Sequence, residues 1–189
     1  MPCLITSGRL IECGAVIGGI KEVYFQSFVD MPSSASWAET GGIVSNWGTG
    51  TMEVFSYALK PEQSNMTIAI NSDRDTGGYF YEQSLTVMLH NVQPADFAKL
   101  QEMINGAPNI FVLDNNNRVY VLGAEYGMYV TGGQLESGTS YTDKFDMEIQ
   151  FTGKELIMGY ETTASSGDQT LANYPFDNVT GTVTVTPGT

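Results

Sequence analysis

The chain is short of the residues that do chemistry. Its 189 residues include one histidine, two cysteines and eight basic residues, and only 15% are charged, against roughly 25% in ordinary soluble domains. A single histidine, His90, beside Asn91, leaves little room for His-based acid–base or metal chemistry, so a structural role is expected of it. Cys3 and Cys13 have neither the number nor the spacing of a disulfide framework, a zinc site or a redox pair. They read as free thiols of a reducing compartment. With 21 acidic against 8 basic residues, the formal net charge is −13. That argues against clamping the outside of a nucleic-acid duplex, which needs Lys and Arg to displace counterions from phosphate. No apolar run approaches the roughly 18 residues of a membrane span. The start, Met1 to Thr6, lacks a basic signal-peptide region, and Arg9 and Glu12 break any apolar run beyond it. A protein made in cytosol, without a membrane, is expected.

Other catalytic signatures are missing too. There is no nucleophile elbow, P-loop or His-Glu-x-x-His run, and the glycines from Gly14 to Gly19 lack a following lysine and a dinucleotide spacing. Asp73, Asp75 and Gly77 begin like a calcium loop, but Arg74 intrudes and no Glu closes it. Asp114 to Asn117 reads as a hairpin turn, where Asp and Asn tolerate left-handed backbone. Asp146 and Glu148 could imitate paired glycosidase acids, yet no aromatic cleft signal surrounds them. Neither an enzyme nor a bound metal or cofactor is expected.

What is present is β pattern. Hydrophobic residues make up 42% and aromatics 11%, enough for a real core. Glu22–Val29 is aromatic and β-branched, as are Thr51–Leu59 and Met66–Asn71. Tyr79, Tyr81, Leu85, Val87 and Leu89 alternate with polar residues, the period of a half-buried strand. The run Ile110–Leu113, the turn Asp114–Asn117 and the run Val119–Leu122 predict a hairpin. A long closing strand is predicted over Tyr141–Thr152. Tyr141, Phe145, Met147, Ile149 and Phe151 would share its dry face; Lys144, Asp146, Glu148 and Gln150 would share its wet one. Asp143 breaks that pattern. One helix is predicted, Pro94 to Asn105: Pro94 fits the first turn, Asp96 favours the dipole there, and Phe97, Leu100, Met103 and Ile104 form an apolar stripe. Gly106 should end it in a left-handed conformation. Residues 31–50, with Trp37 and Trp47, read as an extended loop, and loops of that length are commonly functional; its tryptophans either await an interface or pack on the protein's own core. The Thr-rich segment 161–189 reads as an arm whose Val183 and Val185 alternate with threonines, a strand that can complete its own sheet or add to a neighbour's edge. The expected fold is therefore mainly β, a β-sandwich or small barrel with one flanking helix over residues 1–160, followed by that arm.

Several stretches together resemble a known family. They are Gly8–Cys13 with Gly18–Lys21, Tyr79–Val87, the helix, Ile110–Gly123, Glu125–Leu135 with Gly138, and Asp143–Gly153. In the order and spacing of these pieces the chain resembles tail tube and tail ring proteins of tailed bacteriophages, including the crAss-like phages of Bacteroidetes-type hosts. The resemblance implies rings, typically homohexameric, that stack around a channel with an electronegative lining. DNA would meet them only in transit, and other phage tail proteins would be their neighbours in the virion. It implies no catalytic residue. Lys144, Asp146, Glu148 and Gln150 would then face the lumen, and Trp37, Trp47, Val183 and Val185 would lie on inter-subunit arms. A second expectation within the same fold is another tail ring, a hub or terminator, or the inner tube of an injection system. From a different class comes a β-sandwich module binding carbohydrate or a receptor through Trp37 and Trp47.

Overall fold

A computed structural model describes residues 17–29, 31–33, 37–73, 75, 77–140 and 144–188. Cys3, Cys13, the Gly8–Cys13 piece, Arg74, Tyr141 and Asp143 lie outside them. The fold is mainly β, with two sheets and one helix, as the sequence pattern predicts.

Seven strands form the first sheet: β1 (Ile20–Gln26), β2 (Trp37–Thr40), β3 (Ile43–Ala58), β6 (Asn109–Asp114), β7 (Val119–Leu122), β10 (Tyr160–Thr162) and β11 (Thr180–Thr186). The pairing path β1–β6–β7–β10–β3 returns to β1, because β3 pairs with β10 at Ile43 and with β1 at Phe55–Ala58. The ladder thus closes on itself as a small barrel, while β2 and β11 flank β3. Four strands form the second sheet in the order β4 (Asn65–Ser72), β5 (Tyr79–His90), β9 (Asp146–Glu155), β8 (Tyr129–Glu136), all antiparallel.

Two hydrophobic clusters fill this framework, and β1 and β6 serve both. Tyr24, Phe111 and Leu113 join Val44, Val54, Val121, Phe176 and Val183 in the first. Their neighbours Val23, Phe25, Ile110 and Val112 point the other way, to Leu85, Val87, Ile149 and Phe151 of the second sheet. A strand buried on both faces must read as an unbroken apolar run rather than an alternation, which is why Ile110–Leu113 has no polar residue. Phe111, Phe176 and Trp47 meet edge to face, with centroids 5.2 to 5.9 Å apart, a geometry that adds to the burial of the rings. The Tyr24 hydroxyl donates to a Glu22 carboxylate oxygen at 2.6 Å. Burial, reinforced by that carboxylate, holds the phenol far above its ordinary pKa, so it stays neutral.

Between the sheets runs the turn Gly123–Gly127. Its backbone is held by buried polar side chains: Gly123 N–H donates to Gln83 at 2.9 Å, and the N–H groups of Glu125 and Tyr126 donate to Glu155 at 3.2 Å. Gly123 sits at φ 67°, and a Cβ there would meet the Gly127 backbone at 2.6 Å, so only glycine fits.

The helix α1 (Pro94–Asn105) follows β5. The Asp96 carboxylate accepts from the Gln93 N–H at 3.0 Å and caps its start. Of the expected stripe, Leu100 is buried and Met103 packs on the second cluster, but Phe97 and Ile104 remain exposed. Gly106 ends the helix at φ −85°, not left-handed; its N–H still satisfies the Glu102 carbonyl at 2.9 Å, so extended backbone suffices.

Two other expectations change, and one open alternative is decided. Segment 31–50 is not a loop throughout, since β2 and the first half of β3 make a hairpin there. The 161–189 segment completes the protein's own sheet: β11 lies parallel to β3, and Tyr174, Phe176 and Val179 are buried. The closing strand begins at Asp146 and runs to Glu155, leaving Lys144 and Phe145 before it. Phe111→Ala, which removes the ring common to the barrel's aromatic cluster, is expected to cost about 3–5 kcal/mol, measured as a lowered urea midpoint at unchanged slope.

Candidate functional site

The second sheet turns one face to the barrel and the other to solvent. Gln83, Leu85, Val87, Ile149 and Phe151 are buried on the inner face. The outer face carries Thr67 and Ala69 from β4, Glu82, Ser84, Thr86 and Met88 from β5, Glu148, Gln150, Thr152 and Lys154 from β9, and Gln134 and Glu136 from β8. Register places these in cross-strand rows, such as Met88, Glu148 and Gln134, or Thr86 and Gln150. The side chains satisfy one another along the face. Thr131 and Thr152 hydroxyls lie 3.0 Å apart, Gln134 donates to Glu136 at 3.0 Å, and Gln150 donates to Glu148. It is a hydroxyl- and amide-rich surface. Its charge is uneven: Lys154, over the Phe80 ring at 5.2 Å and opposite Glu82, lies towards one end, while Glu136 and Glu148 lie towards the other.

Of the four residues expected on a lumen face, Glu148 and Gln150 occupy this surface and touch. Asp146 does not: it is buried, and its carboxylate binds Nδ1 of His90, its register partner on β5. An acidic group at the strand's first position, flanked by loop, is covered because it ties two strand ends together. Lys144 is exposed but lies before β9. His90 Nε2 is buried with no hydrogen-bond partner, and nucleophile or metal-ligating neighbours are not grouped around it: among the described residues no three His, Cys, Asp or Glu side chains are placed to hold a metal ion.

The residues expected on arms are distributed differently. Trp47 stacks edge to face on Phe111 and Phe176, Val183 is buried, and Val185 packs against the same cluster. These three belong to the barrel core, because the segments that carry them are strands of its sheet. Trp37 lies on β2 opposite Trp47 in the register.

The feature that periodicity did not single out is the pair of sheet edges. β4 and β8 are each eight residues long and pair on one side only among the described residues. β4, Asn65-Met66-Thr67-Ile68-Ala69-Ile70-Asn71-Ser72, has no charge and no proline; β8 has one charge, Glu136, at its last position. Edge strands of proteins that stay apart usually carry Lys, Pro or short length as a guard against pairing. The near-absence of charge from both segments was the signal available in the sequence. Since β4 and β8 point in opposite directions, an edge-to-edge junction between copies would be antiparallel, like every pairing inside the sheet.

Comparisons with protein-family models, with curated proteins and with solved structures gave no match to this chain. No helix among the described residues is long and apolar enough to cross a membrane. Asp146→Ala leaves neither nitrogen of the largely covered His90 ring partnered, and is expected to cost about 1–3 kcal/mol in urea unfolding; Asp146→Asn, which keeps a hydrogen-bonding oxygen, should cost less.

Proposed function

We propose that the chain is a structural subunit that joins its own copies edge to edge into a ring, as in a phage tail tube, with the polar face of the four-stranded sheet lining a conduit for DNA. The observation that carries this reading is the pair of long, almost uncharged, oppositely directed edges on a sheet whose outer face is polar. Burying such edges against each other satisfies two rows of backbone donors and acceptors at once.

The dimensions are consistent with a conduit. Six copies of a four-stranded sheet make one of about twenty-four strands; at ~4.8 Å between strands its circumference is at least ~115 Å and its diameter at least ~37 Å. Strand tilt widens it further, and the opening accommodates a double helix. Glu82, Glu136 and Glu148 from every copy would face that opening against Lys154, so phosphates find few cations to displace and DNA slides without being held.

Light-scattering mass of the purified chain, with negative-stain images of the same sample, is expected to show rings or tubes. A proline at an alternate β4 position whose N–H faces away from β5 should keep the urea midpoint and lose the rings. A chain that is monomeric at every concentration, alone and with ends of an assembled tube as template, would overturn the reading. In assembled material, wild-type protein should leave duplex DNA unretarded. Glu148→Lys with Gln150→Lys should create retention that falls steeply with salt, measured by gel shift across a salt series; retention by the wild type would remove the sliding conduit from the proposal.

A further inference from the structure

The helix α1 runs out into Asn105-Gly106-Ala107-Pro108 before β6 starts at Asn109. Asn105-Gly106 is the one Asn-Gly step in the chain, and it falls where the helix is held least. Leu100 is buried and Met103 packs on the second cluster, whereas Ile104 is 49% exposed and Asn105 and Gly106 are exposed beside it. The last turn carries no basic residue to complement the helix dipole. Gly106 lies at φ −85°, outside the left-handed conformation that commonly closes a helix, and one bond of 2.9 Å ties its N–H to the Glu102 carbonyl. Helix ends open locally at far smaller cost than the whole fold. Opening here frees the Gly106 nitrogen next to the Asn105 side chain.

The other asparagines are placed differently. Asn109 is buried and donates its side-chain amide to the Gly123 carbonyl. Asn115 and Asn116 donate theirs to the carbonyls of Gly18 and Ile17 at 2.8 Å, and Asn178 to the Ala164 carbonyl at 2.8 Å. Asn65 and Asn71 lie in the β4–β5 ladder. Every asparagine except Asn105 also precedes a residue with a side chain. Glycine has no Cβ, so its nitrogen is open to close approach and its backbone turns freely towards it.

We infer that Asn105-Gly106 is a self-modification site at which the folded protein converts Asn105 to aspartate and isoaspartate through a cyclic imide. The Gly106 nitrogen, released from the Glu102 carbonyl, gives its proton to hydroxide and attacks Cγ of Asn105. A C–N bond closes the imide ring, and the side-chain nitrogen leaves as ammonia. Water then adds to either imide carbonyl and opens the ring, to aspartate or to isoaspartate, whose main chain runs through the former side chain. One water is consumed in place of the ammonia, and one negative charge is gained. That charge falls at a helix C-terminus and one turn from Glu102, both unfavourable. The extra main-chain carbon of isoaspartate enters just ahead of a segment without slack: the Pro108 carbonyl accepts from the Met128 N–H at 3.0 Å, and a Cβ on Gly127 would collide with the Ala107 carbonyl oxygen. No second copy takes part, so a monomer and an assembly carry the site alike.

The test incubates the full chain at neutral and at mildly alkaline pH, without denaturant and in urea above the unfolding midpoint, and follows every asparagine peptide by mass spectrometry with separation of the aspartate and isoaspartate forms. In the folded protein the peptide holding Asn105 is expected to convert first, to both forms, and faster at alkaline pH. Gly106→Ala, whose Cβ would meet the Glu102 carbonyl oxygen at 3.3 Å and which narrows the backbone's range, should slow conversion about tenfold. Asn105→Gln should abolish it, and a helix accepts that residue at least as well as asparagine. The converted protein, once purified, should unfold at a lower urea midpoint. Conversion that begins at another asparagine, gives aspartate alone, or occurs only in the unfolded chain overturns the proposal. An unchanged midpoint for the converted protein overturns the part that places strain at this junction.

Discussion

The fold depends on β1 and β6 being buried on both faces. Tyr24 and Phe111 face into the barrel while Val23, Phe25, Ile110 and Val112 face the second sheet. Each residue step along these strands therefore changes which cluster it serves. A register slip of one residue would exchange the contents of both clusters at once, so the position of the four-stranded sheet on the barrel is set by the same alternation that fills the barrel. The Gly123–Gly127 turn adds a polar lock to this apolar one. Gln83 and Glu155, both buried, accept from its N–H groups through their side-chain oxygens, and losing either oxygen would leave covered donors unsatisfied.

That arrangement divides the surface by chemistry. The second sheet, held by its inner face, presents a polar outer face and, among the described residues, two edges paired on one side only. Under the proposed assembly the low charge content has a reason: charge is costly to bury against other protein, and Asn65–Ser72 carries none. The acidic residues that remain on the sheet, Glu82, Glu136 and Glu148, lie on the one face that no proposed contact covers.

Much of the fold was legible in the sequence because it is periodic. The alternation in Tyr79–His90 and the unbroken apolar run Ile110–Leu113 correspond to a half-buried and a doubly buried strand, and Pro94 with Asp96 marks the helix start. What periodicity misses is partnership. Trp47, Val183 and Val185 look like arm residues because Ser, Gly and Thr surround them, yet a parallel pairing between β3 and β11, distant in sequence, draws all three into the barrel. Asp146 obeys the polar alternation but is covered by its cross-strand partner His90, a contact invisible without the register. Phe97 and Ile104 sit at helical spacing and still face solvent, because α1 is held by one turn rather than along its whole stripe. For the candidate surface, Glu148 and Gln150 were readable as wet positions, while the edges were readable only as a scarcity of charge.

The parallel pairing of β11 with β3 also sets the order in which the molecule can form. β3 is the longest strand and contributes to the barrel at both of its ends, yet its neighbour Thr180–Thr186 emerges from the ribosome only after the ten other strands have been made. Such distant pairing raises contact order and slows folding. Until it is in place, β3 offers a sixteen-residue ladder with one side incomplete, alongside the uncharged β4. The nascent chain is thus most adhesive in the interval before β11 arrives, and its yield in cells should be governed by how fast that strand docks rather than by the stability of the completed fold.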